Sequence, residues 1–212
     1  MTEFVYIIES PSDEDLYCHK YESDLLRISA ELNNMKCFIR IAASKEMFEK
    51  AISSGLKEAV VANYQQDPIL HISAHGCEDG FRLTNKDFIT WDDLRNLLLP
   101  ISRYRNYGLL LCMSTCKGIN AIKSALSEKL DNQEAVYAVV GNSGKPTWSE
   151  TAVAYASFYH LLLKGSMLGD AVKAMRIASG NKDFQISLSL DEREKNRPNK
   201  IYEVPNSPSK SL

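Results

Sequence analysis

Two residues of this chain combine a reactive side chain with a context that suits acyl transfer. The run ILHISA, Ile69 to Ala74, leads into His75-Gly76, and GLLLCMST, Gly108 to Thr115, leads into Cys116-Lys117-Gly118. A thiolate is the reactive form of cysteine, and a free thiol with a pKa near about 8.5 is mostly protonated at neutral pH, so a neighbouring imidazole or positive dipole raises its reactivity. A helix expected from about Ile119 points its positive end at Cys116. Gly76 lets a backbone N–H approach a substrate without a Cβ in the way. The amides of Gly76 and Cys116 are therefore the candidate donors to a developing oxyanion, and Gly118 relieves crowding at the turn into the helix.

The elements that position these residues alternate in type. Phe4–Ile8 reads as a buried strand, Asp13 to Leu32 as a helix, and Cys37–Ala42 as a second strand; Ser44 then caps a helix carrying Met47, Phe48, Ile52 and Leu56. Ile69–Ala74 and Gly108–Ser114 are the third and fourth strands, separated by a hairpin and helix between Cys77 and Pro100. A helix from Ile119 to Leu130, a strand from Ala135 to Val140, a helix capped by Thr147 and Glu150 and running through Leu163, another to Gly180, and a strand at Phe184–Leu188 complete the pattern. Strands alternating with helices predict a mostly parallel sheet covered on both faces, with its site at the carboxyl ends of the strands. His75 and Cys116 both fall there.

Composition bounds the function. The 212 residues are 44% hydrophobic and 25% charged, as in ordinary globular domains, and suffice for one core. A domain over residues 1–190 and a polar, disordered tail over 191–212 are expected. The net charge of -2 is scattered, so no nucleic-acid partner is expected. The start is acidic and no apolar run approaches the roughly 18 residues of a membrane span, which gives a cytoplasmic expectation with no membrane partner. Five cysteines form no disulfide framework. A zinc reading of His71, His75, Cys112 and Cys116 fails, because residues four apart on a strand stand about 13 Å from each other. No metal or other cofactor is expected, and His71 and Cys112 are assigned to the core.

Ser114-Thr115-Cys116-Lys117-Gly118, with His75-Gly76 upstream, resembles the Gln-Ala-Cys-Arg-Gly signature of caspases. Serine and threonine in place of Gln-Ala move the chain toward the wider caspase-like group (clan CD). Within it, the sequence is most similar to bacterial CHAT-domain peptidases, whose later helices resemble AYASFYHLLLKGSMLGDAVKAMRIA.

That resemblance covers Phe4 to Gly180 and implies a three-layer αβα sandwich around a six-stranded sheet. It also implies a cysteine endopeptidase with a His75/Cys116 dyad and Gly76 in the oxyanion hole. The implied setting is bacterial (antiviral) defence or regulated cell death, with a protein substrate such as a pore-forming effector and an activating sensor protein as partners. Only Asp131 to Glu134 stand where caspases carry a long cleavable linker, so activation by self-cleavage there is not expected.

Asn142 and Ser143, after the fifth strand, are candidate substrate contacts, and Glu9, Asp13 or Asp15 are candidates for lining a pocket for a basic residue. The competing readings are a caspase-fold interaction module with an unused dyad and a flavodoxin-like binding domain with an incidental His and Cys.

Overall fold

The computed structural model describes residues 2–102, 108–124 and 135–189. The sheet has six strands: β1 (Thr2–Glu9), β2 (Cys37–Ile41), β3 (Gln66–Ser73), β7 (Leu109–Ser114), β8 (Val136–Asn142) and β9 (Phe184–Leu188), in the spatial order β2-β1-β3-β7-β8-β9. The first five are parallel and β9 runs antiparallel at the edge. Three short strands, β4 (His75–Gly76), β5 (Gly80–Arg82) and β6 (Phe88–Thr90), form a separate antiparallel sheet after β3.

Alternation along the central strands builds two cores. Phe4, Tyr6 and Ile8 of β1, Leu70 and Ile72 of β3, and Leu111 and Met113 of β7 face one side. There they meet α3 (Lys45–Lys50), a π-helical turn (Ala51–Leu56), α4 (Lys57–Ala62), α5 (Trp91–Ser102) and the 3₁₀ helix Gly118–Ser124. Val5, Ile7, Ile69, Leu110 and Cys112 face the other side, under α2 (Glu22–Leu32), α6 (Trp148–Leu163) and α7 (Leu168–Ser179). Every residue of β7 is buried, as a strand between two helical layers requires. This is the expected αβα sandwich.

The local signals act as their chemistry dictates. Ser44 accepts from the Met47 amide, and Thr147 and Glu150 form a reciprocal capping box. The single helix expected from Asp13 to Leu32 is instead two, α1 (Asp13–Tyr17) and α2, separated by His19 with φ +52°. The break has a cause: the Glu9 carboxylate accepts the Glu22 and Ser23 amides at 2.8 and 3.0 Å and starts a new helix against the sheet. The expected helix after Cys116 is 3₁₀ over Gly118–Ser124, and its continuation to Leu130 lies outside the described residues, as does the tail 191–212. Among the described residues, no helix is long and apolar enough to cross a membrane.

Candidate active site

The ladder between β3 and β7 runs to the residues that precede the two reactive side chains. Ser73 pairs with Ser114, and the Ala74 amide donates to the Ser114 carbonyl at 3.3 Å. His75, exposed, follows Ala74, and Cys116, half-buried, follows Thr115. The two segments touch at Gly76 and Cys116. A Cβ placed on Gly76 would lie 2.2 Å from the Cys116 carbonyl oxygen and 2.7 Å from Thr115 Cβ, so only glycine allows this approach. The two segments named from the sequence are thus brought together, with Gly76 pressed against the residue that carries the thiol.

Gly76 is also oriented. In an antiparallel ladder successive N–H groups point alternately toward and away from the partner strand. Cys77 donates to the Gly80 carbonyl at 2.8 Å, so the neighbouring Gly76 N–H is directed away from β5. The turn after Cys116 is equally constrained. Lys117 has φ +56°, a left-handed conformation unusual for a residue with a side chain, and its amide donates to the Gly144 carbonyl at 2.8 Å. A Cβ on Gly118 would stand 2.7 Å from the Met113 carbonyl oxygen and 2.8 Å from Thr115 Oγ1. The thiol therefore sits on a sharp strand-to-helix corner tied to the loop after β8. Thr115 Oγ1 is buried there without a hydrogen-bond partner among the described residues.

Two of the candidate substrate contacts, Glu9 and Asn142, are buried. Glu9 has no exposed surface: it is consumed in capping α2, and burial pushes its carboxyl above the usual carboxylate range. It cannot line an open pocket. Asn142 is also fully buried; its Oδ1 accepts the Gly144 amide at 2.7 Å and its Nδ2 donates to Asn181, so it shapes the loop from beneath. Ser143 is half-buried and held to β9, its amide donating to the Asp183 carbonyl at 3.0 Å and its hydroxyl accepting from Gln185. Asp13 is exposed and paired with Lys86, and Asp15 accepts from Ser12 at the start of α1.

His71 and Cys112 are core, as assigned. His71 is stacked edge-on against Tyr155, and its Nδ1 pairs with the Tyr159 hydroxyl at 2.7 Å. Burial drives its pKa down to about 3 and that of Cys112 up to about 12. Trp91 is core too, its indole donating to the Glu78 carbonyl at 2.8 Å.

One residue at this edge was missed. Glu22 is 4% exposed, and its carboxyl accepts the Ser73 hydroxyl at 2.6 Å and the Ser114 hydroxyl at 2.8 Å. Desolvation, opposed by those serines, raises its pKa to about 7. The available signal was a serine two residues before each reactive side chain, on the same face of adjacent strands. A separate groove of about 720 Å³, lined by residues such as Ser29, Leu32, Ala156, His160 and Ile177, contains neither His75 nor Cys116.

No protein-family model and no curated protein matches the sequence. Solved structures do. Gingipain R, described as an Arg-specific cysteine proteinase, superposes with a TM-score of 0.51 at 8% identity, over 86% of this chain and 45% of that one. The complex of the pro- and mature domains of RgpB from Porphyromonas gingivalis gives 0.52 at 10% identity, over 85% and 44%. The chain thus spans less than half the length of the solved chains it matches. At such identities the likeness is one of fold: the chain has a cysteine-peptidase-like fold, a caspase-like αβα sandwich with a six-stranded, mostly parallel sheet.

Proposed function

We propose that the chain is a cysteine endopeptidase that uses His75 and Cys116 as a catalytic dyad. The observation that carries this reading is the contact between Gly76 and Cys116 at the carboxyl ends of two adjacent parallel strands. In the proposed reaction the Cys116 thiol gives its proton to His75 and the sulfur attacks the scissile carbonyl carbon. The oxyanion takes hydrogen bonds from the Gly76 and Cys116 amides. The C–N bond then breaks, His75 protonates the leaving amine, and a water deprotonated by His75 hydrolyses the thioester to release the acid and the free thiol.

The finer reading extends the motif Ser114-Thr115-Cys116-Lys117-Gly118: a relative of CHAT-domain peptidases, acting in the cytoplasm in bacterial defence or regulated cell death, on a protein substrate and under control of a sensor protein. With Glu9 and Asn142 buried, residue preference at the cleavage site falls to side chains that reach the surface around Cys116, such as Ser143 and Lys117.

The test is incubation of the wild-type chain and Cys116→Ala with the proteins encoded beside it, followed by mass spectrometry for new termini. Cleavage lost in the variant supports the reading and identifies the substrate. Identical cleavage in both, or none with every candidate activator present, favours a caspase-fold interaction module.

A further inference from the structure

Below the dyad, the carboxyl edge of the sheet carries a buried polar row. Glu9 of β1 pairs in register with Ser73 of β3, and Ser73 with Ser114 of β7. Asn142 follows Gly141, the partner of Met113, and so lies level with Ser114 on β8. These four are 0 to 6% exposed. Parallel register partners share a face, so the row is directed at the layer of α2 and α6, where Glu22 and Thr151 occupy the first turns of the two helices. Glu22 is the hub of this row. Its amide is fixed by Glu9, and its two carboxyl oxygens take one hydroxyl from each of the strands that deliver the reactive residues.

We propose that Glu22 is a positioning residue for the dyad: its carboxyl group straps the last residue of β3 to the last residue of β7 and thereby fixes the separation of His75 and Cys116. The proposal rests on the dyad reading above. Ser73 is two residues before His75, and Ser114 two before Cys116. Neither gap contains a flexible glycine, so a shift at either serine is passed directly to the reactive side chain. Hydrogen bonds to a charged or partly charged acceptor in a dry site are the strong ones, and two to one carboxyl leave it little freedom.

The groups that face Glu22 are named by the elements around it. Glu9 from β1 adds like charge; Ser73 and Ser114 donate to it; the Thr151 hydroxyl, which donates to the Trp148 carbonyl, stands near enough to favour its charged form, and Tyr155 of α6 is electrostatically coupled to it. Asp24, on α2, acts on Glu9, and His71 and Cys112 lie one layer deeper on the same face. Among the described residues no cation is in this set, so the contacts of Glu22 seen here are hydrogen bonds rather than half of an ion pair. Its ionisation is centred near pH 7.

The test measures the rate of Cys116 alkylation by iodoacetamide, resolved by peptide mapping across pH, in the wild type, Glu22→Ala, Glu22→Gln, Ser73→Ala and Ser114→Ala, each with and without His75→Ala. Misplacement by about 1 Å is enough to lose roughly a hundredfold in an oriented reaction, so Glu22→Ala should lose most of the acceleration that His75 gives, by roughly tenfold or more. Adding His75→Ala to it should then change little. Glu22→Gln keeps one acceptor and one donor for the two serines; it should restore most of the rate while removing an inflection near pH 7.

If Glu22→Ala does not melt cooperatively, the two serine variants, which each remove one strap, carry the same expectation at smaller size. A folded Glu22→Ala or serine pair with the full His75-dependent rate overturns the proposal. A wild type whose Cys116 rate is unchanged by His75→Ala overturns the dyad itself, and the proposal with it.

Discussion

Two His/Cys pairs stand on the same two chain segments, one inside β3 and β7 and one just past their carboxyl ends, and they have opposite fates. His71 and Cys112 are register partners in the middle of β3 and β7, with no exposed surface. His75 and Cys116 follow them by four residues and stand at or near the surface. In the inner pair, burial holds the imidazole neutral and the thiol protonated, with values near 3 and 12. A thiol in that state is not a nucleophile at neutral pH. The outer pair has water, a glycine backbone against the thiol-bearing residue, and a sharp turn that leaves the Cys116 side chain half-buried. Residue type does not separate the pairs; their depth along the strand does.

That contrast predicts opposite losses. Cys116→Ala should reduce peptide-bond cleavage to background while the melting temperature changes little, and His75→Ala should cost roughly 10²–10⁴ in rate, as removal of a general base does. Gly76→Ala comes next. The added methyl meets the Cys116 carbonyl at 2.2 Å, so the loops must separate, with a loss of activity and about 1–3 kcal/mol of stability, measured by denaturant titration. His71→Ala should do the reverse, leaving a cavity beside Tyr155 and Tyr159 that costs about 2–4 kcal/mol, while the variant that remains folded keeps its activity.

The buried His71 and Glu22 also make stability depend on pH, in opposite directions. His71 has a folded value near 3 against an ordinary 6.5, so the unfolded chain binds a proton that the folded one refuses between those values. Stability should therefore fall as pH drops from about 6.5 toward 3, by an amount on the order of a few kcal/mol, and His71→Phe should flatten that slope. Glu22 runs the other way. Its value is raised from 4.5 to about 7, so the stability linked to its neutral form is fully present below 4.5 and is lost as pH rises through 7. Glu22→Gln should remove that second decline. The smallest effect is Cys112→Ala, about 1 kcal/mol for a small buried group, with cleavage unchanged.

Much of this was legible in the residues. The apolar runs gave β1, β3, β7 and β8, the Thr147/Glu150 spacing gave the start of α6, and two strand ends carrying His-Gly and Cys-Lys-Gly gave the edge where Gly76 packs against Cys116. The polar layer beneath them was not legible. Glu9, Glu22 and Asn142 are residue types usually found in water, and a helix read by its apolar spacing treats Glu22 as solvated surface. Their burial depends on meeting one another: Glu9 caps α2, the cap breaks the expected long helix, and the break turns Glu22 toward Ser73 and Ser114. Those partners lie 51 and 92 residues away in sequence, beyond any local pattern. The burial of Asn142, a candidate substrate contact in the sequence, is illegible for the same reason, since its side chain closes its turn from the inside.

In the proposed dyad, position at the carboxyl edge rather than thiol exposure makes Cys116 reactive. Cys18 and Cys77 are more exposed than Cys116, and Cys112 is buried, so the chain carries its own controls. Native protein treated briefly with iodoacetamide at neutral pH and mapped by mass spectrometry should show Cys116 modified fastest and Cys112 only after unfolding, with His75→Ala slowing Cys116 alone. Cys116 reacting no faster than Cys18 and Cys77, or at a rate indifferent to His75, would contradict the account.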